Sequence, residues 1–232
     1  AGHAVLIDCR SLVTEPIPIP DPVRILILDS AVARTLAGSA YNDRRAECEA
    51  ALQVLQANDP ELRALRDVTM DLLTQQQRHL PDLLLRRARH VVTENGRVLD
   101  AVSALRRTDL RRFGQLLTES HGSLRDDYQV SVPELDTLVD IARQTRGVFG
   151  ARLTGAGFGG CAVAVVTADA AEAAHTEIID RYRQATGRAG RAFISSAGDG
   201  PVVGWRSSGA PRQPASRSLT HRPSRSRPFR GN

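Results

Sequence analysis

The sequence has 232 residues, enough to bury a substantial core, and its apolar fraction of 41% and charged fraction of 25% are ordinary for a globular protein. All 31 basic residues are arginine, and seven of them lie from Arg206 onward, where no acidic residue occurs. Residues 1–205 therefore carry 24 basic and 26 acidic groups, a net charge of −2. This balance excludes a basic nucleic-acid footprint on residues 1–205 and leaves one only in the tail.

The three cysteines, Cys9, Cys48 and Cys161, are odd in number, far apart and without C-x-x-C spacing. This arrangement argues against a disulfide framework or a zinc site and favours a reducing, cytoplasmic environment. No apolar run approaches the ~20 residues of a membrane span, and no signal-peptide pattern is present. Because the sequence enters a strand pattern at once, without an initiator methionine, we expect it to be a piece of a longer polypeptide.

Two short strands are predicted at the start of the chain. Residues 3–9 form an apolar run, and residues 23–29 (V-R-I-L-I-L-D) are rich in β-branched side chains. Between them, prolines at alternate positions from Pro16 to Pro22 predict an extended connector, because proline cannot donate to a β-ladder.

A helix is predicted at about residues 39–56, with Tyr41 in its first turn. A tyrosine there can pack its ring and still offer a hydroxyl to a ligand. On local grounds the alternative, in which Tyr41 packs the start of the helix against the core, is favoured.

Residues 61–145 are predicted to be helical nearly throughout, with one long helix at residues 82–107 that follows Pro81. Thr108 is the predicted N-cap of the next helix, at residues 109–117. Residues 120–124 (S-H-G-S-L) then predict a polar corner.

Within that corner, His121 is a candidate general base, but no carboxylate or nucleophile spacing supports this role, so a structural histidine is favoured. Ser131 and Glu134 flank Val132-Pro133 as a predicted capping box, which starts a helix that continues to Gly147. The helical middle of the sequence contains no cluster of metal-ligating residues.

A glycine-rich loop separates two strand-like segments at residues 151–167, A-R-L-T-G-A-G-F-G-G-C-A-V-A-V-V-T. Residues 155–160 match G-x-G-x-x-G, but the dinucleotide fingerprint needs a strand before the loop and a helix after it, whereas here a strand follows. The pattern therefore predicts a strand–loop–strand element pressed against a ligand or a neighbouring phosphate loop. A tight glycine turn that binds nothing remains an alternative.

A helix at residues 168–186, a strand at residues 191–195 and a turn with a short edge piece at residues 198–205 complete the predicted elements. Their order predicts an α+β fold with helices on one face of a mainly antiparallel sheet. Residues 207–232 consist mainly of Arg, Ser and Pro and are predicted to be disordered.

Four blocks of sequence, in this order, resemble the galactokinase family. They are H-A-V-L-I-D-C-R-S-L at residues 3–12, Y-N-D-R-R-A-E-C-E-A-A at 41–51, S-H-G-S-L-R-D-D-Y with S-V-P-E-L-D between 120 and 136, and G-A-R-L-T-G-A-G-F-G-G-C at 150–161. The similarity is to the C-terminal half of galactokinases, which belong to the GHMP kinase superfamily with homoserine and mevalonate kinases. It covers residues 1–206 and excludes the tail at 207–232.

The resemblance implies a GHMP-kinase C-terminal domain, a ferredoxin-like α/β sandwich, in which residues 1–30 adjoin a missing N-terminal domain. It implies transfer of the γ-phosphoryl group of ATP, with Mg²⁺, to the C1 hydroxyl of α-D-galactose. The tyrosine that matches Tyr41 would contact the sugar. The third signature motif of the family would support the phosphate-binding loop, and it matches Gly155, Ala156, Gly157, Phe158, Gly159 and Gly160. Positioning and electrostatic stabilisation dominate phosphoryl transfer, so such a loop has a physical role.

Three features of the family are absent from these 232 residues: the sugar-signature motif with its arginine, the Pro-x-Gly-x-Gly-Leu-Ser-Ser-Ser phosphate loop, and the aspartate that acts on the sugar hydroxyl. We therefore expect no catalytic residue in this chain and no kinase activity from it alone. A non-catalytic module that binds a sugar or nucleotide, or one half of a split kinase with a separately encoded N-terminal half, is the alternative. An interaction protein that binds nucleic acid through its arginine tail is the least favoured hypothesis.

Overall fold

A computed structural model of the chain describes residues 2–33 and 37–198, all within one compact unit, Ala1–Asp199. The predicted edge piece beyond Gly198 and the predicted tail at residues 207–232 lie outside the described residues. The strands are β1 (His3–Ile7), β2 (Thr14–Pro18), β3 (Val23–Asp29), β4 (Val148–Leu153), β5 (Cys161–Thr167) and β6 (Arg191–Ser195). The α-helices are α1 (Ala37–Gln56), α2 (Met70–Gln76), α3 (Asp82–Arg106), α4 (Leu110–Asp126), α5 (Pro133–Gln144) and α6 (Ala171–Thr186), with short 3-10 turns at Leu65–Asp67 and Gln77–His79.

Four strands form an antiparallel sheet in the order β4-β5-β3-β6. Alternation along each strand places Leu26, Leu28 and Ala164 on one face, where they are fully buried in a core shared with α5 and α6. The predicted α+β class with a mainly antiparallel sheet is therefore confirmed, but the helices are not confined to one face as predicted, since α3 and α4 lie over the other face. The opposite face contributes Ile25 and Val163 to an apolar cavity of about 220 Å³ that α3, α4 and the β1–β2 hairpin also line.

Residues 16–22 are not the unpaired connector that their prolines predict. Pro16 and Pro18 lie in β2, which pairs with β1 as an antiparallel hairpin. The amide of Ile19 donates to the carbonyl of Gly2 at 2.8 Å, so the odd-numbered positions of β2 are the hydrogen-bonded ones. The two prolines occupy the positions between, where an N–H would point away from β1. Proline at every second residue thus leaves one edge of the strand free to pair.

Helix α4 starts one residue later and ends nine residues later than the sequence predicts. Asp109, not Thr108, is its N-cap, because the Asp109 carboxylate accepts from the Arg112 amide at 2.9 Å while Thr108 has a φ of 58°. Residues 120–124 are helical rather than a corner. Their polar side chains find partners on other elements, as when the Ser120 hydroxyl donates to Glu94 at 2.5 Å.

Helices α1, α2 and α3 enclose a second apolar core, which includes Ala51, Leu55, Leu73 and Ala88. The apolar face predicted for residues 82–107 lies on α3 and contributes to this core. Of the helices in the described part of the chain, none combines the length and apolar character needed to cross a bilayer.

Candidate functional site

The glycine-rich loop connects β4 to β5, and its backbone has a conformation that favours glycine. Gly155, Gly157, Gly159 and Gly160 have φ values of 77°, 78°, 114° and 80°, and Phe158 between them has a φ of 58°. L-residues with a side chain rarely adopt such angles. The glycine cluster seen in the sequence therefore encodes the shape of this loop.

The segment that follows β3 holds one side of the loop. Both the amide and the hydroxyl of Ser30 donate to the carbonyl of Gly160, at 3.0 and 2.7 Å. The Gly160 amide donates in turn to the Val32 carbonyl at 3.1 Å. The Ser30 carbonyl accepts from the buried hydroxyl of Tyr182 at 2.8 Å, which ties this segment to α6.

The α4–α5 linker, residues 127–132, holds the other side. The Phe158 amide donates to the Val130 carbonyl at 2.7 Å. A Cβ at Gly157 would lie 2.1 Å from the same carbonyl oxygen, so only glycine allows the two backbones to come this close.

These contacts determine which backbone amides of the glycine-rich loop are still available to a ligand. The amides of Phe158 and Gly160 are already used inside the protein. Gly155 and Ala156 form the exposed tip of the loop, and they are the part that can face a ligand or another loop.

Tyr41 lies in the second turn of α1, and its exposed fraction is 55%. Its side chain is therefore not part of either apolar core. Further along α1, the Cys48 thiol lies 3.8 Å from the hydroxyl of Tyr128 in the α4–α5 linker. Burial raises the pKa of Tyr128 well above its usual range, and the neighbouring Cys48 and Tyr41 contribute to this rise.

The linker also contacts α1 through Arg87 of α3, which is 1% exposed. Its Nε donates to Glu47 of α1 at 2.6 Å, while its terminal nitrogens donate to the Asp127 carbonyl and to Gln129 Oε1. Burial opposes ionisation of Glu47, but hydrogen bonds from Arg87 and Arg44 keep the pKa of this carboxylate below its ordinary value.

A second buried polar cluster lies beside this one. The rings of His90 and Tyr128 stack with centroids 4.4 Å apart, and His90 Nδ1 lies 3.0 Å from the Ser123 hydroxyl. Ser123 donates in turn to Asp127 at 2.9 Å. Burial lowers the pKa of His90 to about 4, so this imidazole is neutral at pH 7.

His121 is buried between α4, β4 and α5. Its Nδ1 accepts from the Leu153 amide at 3.3 Å. Its Nε2 lies 3.2 Å from Asp136 Oδ1, close enough for an electrostatic contact but outside the geometry of a hydrogen bond. The sequence had indicated no carboxylate partner for His121, and α5 supplies one. Both nitrogens face protein groups, as in a structural histidine.

The predicted capping box before α5 does not form. The N-cap is Val132, which has no side-chain acceptor, and the Ser131 hydroxyl instead donates to Asp136 at 2.5 Å. Pro133 occupies the first turn as predicted.

The α4–α5 linker connects the two predicted site regions, because Tyr128 contacts Cys48 of α1 and the Val130 carbonyl accepts from Phe158 of the loop. Sequence reasoning missed Arg87, Gln129 and Val130, because their roles depend on contacts between distant segments and no motif marks them. Across residues 2–33 and 37–198, no group of three or more His, Cys, Asp or Glu side chains is placed to hold a metal ion.

Comparisons with known proteins agree with this architecture. Residues 101–184 match the family model described as GHMP kinases C terminal. The galactokinases of Roseiflexus sp. (strain RS-1) and Chloroflexus aurantiacus (strain ATCC 29366 / DSM 635 / J-10-fl) are each 50% identical to this chain over 200 residues. The alignments cover 86% of this chain. The chain spans about half of each relative, since the same alignments cover 51% of the relative's length.

Among solved structures, the crystal structure of Lactococcus lactis galactokinase complexed with galactose matches with a TM-score of 0.79 at 36% identity. That match covers 83% of this chain and 50% of the Lactococcus chain. Residues 101–184 are therefore similar to the C-terminal domain of GHMP kinases, and the chain is similar to the galactokinases over about half of their length.

Proposed function

We propose that this chain provides one wall of a galactokinase active site, which transfers the γ-phosphoryl group of ATP to the C1 hydroxyl of α-D-galactose. The observation that carries the proposal is the connection of the Tyr41 helix to the glycine-rich loop in a chain 50% identical to galactokinases. In this proposal, the Tyr41 hydroxyl contacts the sugar. The exposed tip at Gly155 and Ala156 supports the loop that binds the phosphates of ATP.

Among the described residues, no group of three or more His, Cys, Asp or Glu side chains is placed to hold a metal ion. In the proposed enzyme, Mg²⁺ and the base that acts on the sugar hydroxyl belong to residues outside this described part. The role of the present chain is to position the two substrates and to shape the site.

The surface of the β1–β2 hairpin supports a partner that completes the enzyme. Val5, Ile7, Leu12 and Val13 are each more than half exposed, as is Leu99 on the neighbouring helix α3. Apolar groups exposed together in this way mark an interaction surface. We propose that residues 1–30 adjoin the N-terminal half of a galactokinase, on the same polypeptide or on a separate one. The odd number and wide spacing of Cys9, Cys48 and Cys161 along the chain support a cytoplasmic location.

A complementation assay tests the proposal. The 232-residue chain is mixed with a separately produced N-terminal half of the Roseiflexus homologue, and galactose 1-phosphate is measured with galactose, ATP and Mg²⁺. We expect no product from either half alone and product from the mixture. Tyr41→Phe should reduce product formation about tenfold, since it removes one sugar hydrogen bond.

Asp43→Asn is the matched control, because Asp43 is exposed on the same helix and has no place among the proposed sugar contacts. Formation of galactose 1-phosphate above background by this chain alone would contradict the proposal that the catalytic residues lie in the other half of the enzyme. Equal activity of the Tyr41→Phe and Asp43→Asn mixtures would remove Tyr41 from the site. Calorimetric binding of galactose by an inactive mixture would favour the non-catalytic binding module.

A further inference from the structure

The α4–α5 linker contains a non-glycine residue, Gln129, with a left-handed backbone. The Val130 amide donates to the Leu124 carbonyl at 3.0 Å and the Tyr128 amide to the Ser123 carbonyl at 2.9 Å, and these bonds tie the start of the linker to the end of α4. Gln129, between the two donors, has a left-handed backbone with a φ of 55°. Glycine or asparagine is favoured at this position, so glutamine there costs backbone free energy.

The side chain of Gln129 has a contact that neither glycine nor asparagine could make. Its Oε1 accepts from Arg87 Nη2 at 2.8 Å. The same buried guanidinium donates to the Asp127 carbonyl and to Glu47. Because Arg87 is also bound to Glu47 of α1, its bonds to Asp127 and Gln129 fix the linker on both sides of Tyr128.

Strained backbone is concentrated around the glycine-rich loop. Five non-glycine residues in the described part have a positive φ, and three of them, Ala31, Gln129 and Phe158, lie in the three segments that meet at this loop. Such residues persist where the surroundings hold them, and they cluster at functional sites. Directly after Gln129, the Val130 carbonyl accepts the Phe158 amide.

We propose that Gln129 is a positioning residue: through its bond to Arg87 it holds the Val130 carbonyl in place, and that carbonyl sets the conformation of the glycine-rich loop. The purpose of the loop, support of the ATP phosphates, rests on the proposed function above. The tether itself does not. A loop held in advance needs no reorganisation when the phosphates bind.

Amide hydrogen exchange of the 232-residue chain, resolved by NMR, tests the tether. Gln129→Asn keeps a residue suited to the left-handed region, but its side chain is about 1.5 Å shorter and does not reach Arg87. We expect the Phe158 amide to exchange roughly ten or more times faster in Gln129→Asn than in the wild type. This factor corresponds to the free energy lost with a hydrogen bond to a charged group. The unfolding midpoint in urea should fall, because the lost bond to the buried Arg87 outweighs the relief of backbone strain.

Gln129→Glu is the conservative variant, since it keeps the acceptor and should exchange at the wild-type rate. Gln144→Asn is the matched control, because it removes a similar bond, from Arg181 Nη2 at 2.7 Å, on the surface of α5. It should leave the Phe158 amide unchanged.

Two results would contradict the proposal that Gln129 tethers the loop. The Phe158 amide could exchange at the wild-type rate in Gln129→Asn, or it could exchange as fast in Gln129→Glu as in Gln129→Asn. In the complementation mixture, Gln129→Asn should lower kcat about tenfold with the KM for galactose unchanged. An unchanged kcat there would overturn the positioning role. If the mixture with the wild-type chain makes no product, the proposed function is contradicted instead. The exchange rates of the Phe158 amide then test by themselves whether Gln129 tethers the loop.

Discussion

Replacement of Gly157 by alanine is a direct test of the close approach between the glycine-rich loop and the α4–α5 linker. The new Cβ would lie 2.1 Å from the Val130 carbonyl oxygen, whereas real Cβ atoms essentially never come within 3.0 Å of such a neighbour. Loop and linker must therefore separate by about 1 Å, which breaks the 2.7 Å bond from the Phe158 amide to Val130.

The expected cost has two parts. A left-handed backbone costs an alanine about 1–2 kcal/mol, and the forced separation adds about 1–3 kcal/mol. We therefore expect Gly157→Ala to lower the free energy of unfolding by about 2–5 kcal/mol. The measurement is urea unfolding followed by circular dichroism.

Gly187, which ends α6, provides the matched control. Its φ of 70° is close to the 78° of Gly157, but a Cβ there would meet nothing within 4 Å. Gly187→Ala should therefore cost only the backbone part, about 1–2 kcal/mol. Equal costs for the two substitutions would refute the reasoning, because they would show that the contact with Val130 has no energetic consequence.

Two further predictions concern the helical part of the chain. His90 has a folded pKa of about 4 and takes up its proton at higher pH when unfolded, so the free energy of unfolding should fall by about 3 kcal/mol as pH drops from about 6.5 to 4. His90→Phe should lack this portion of the pH dependence in urea titrations, and parallel curves for the two proteins would contradict the prediction. Gly114→Ala should cost several kcal/mol because its Cβ would lie 2.0 Å from the Phe149 carbonyl oxygen, whereas Gly122→Ala, on the same helix with open space around it, should gain up to about 1 kcal/mol. Equal midpoints for these two variants in thermal unfolding would show that α4 does not approach β4 as closely as described.

Sequence patterns predicted most of the elements correctly, for reasons that lie within each segment. The β-branched run at residues 23–29 forms β3, and the apolar face predicted for residues 82–107 lies on α3. Four glycines within six residues predicted a loop of unusual backbone conformation between two strands, and all four have positive φ values. These preferences depend on local sterics and on periodic burial, which a single sequence contains.

Errors occurred where a distant segment supplied the deciding partner. Residues 120–124 continue α4 because Glu94 of α3 and Asp136 of α5 face the polar side chains that suggested a corner. The prolines of β2 form a strand because β1 lies along the edge that they leave free. A sequence shows which polar groups are present but not which of them form hydrogen bonds with each other in the folded protein.

The sequence alone determined the succession of helices and strands, the glycine-rich loop and the resemblance to galactokinases, because each is recorded in short stretches of residues. Only the tertiary structure decided that the α4–α5 linker joins the Tyr41 helix to this loop through Arg87, Gln129 and Val130. The bond from Arg87 to Gln129 spans 42 positions of the chain. Burial of the Arg87 charge is tolerated only where Glu47, Asp127 and Gln129 converge on it.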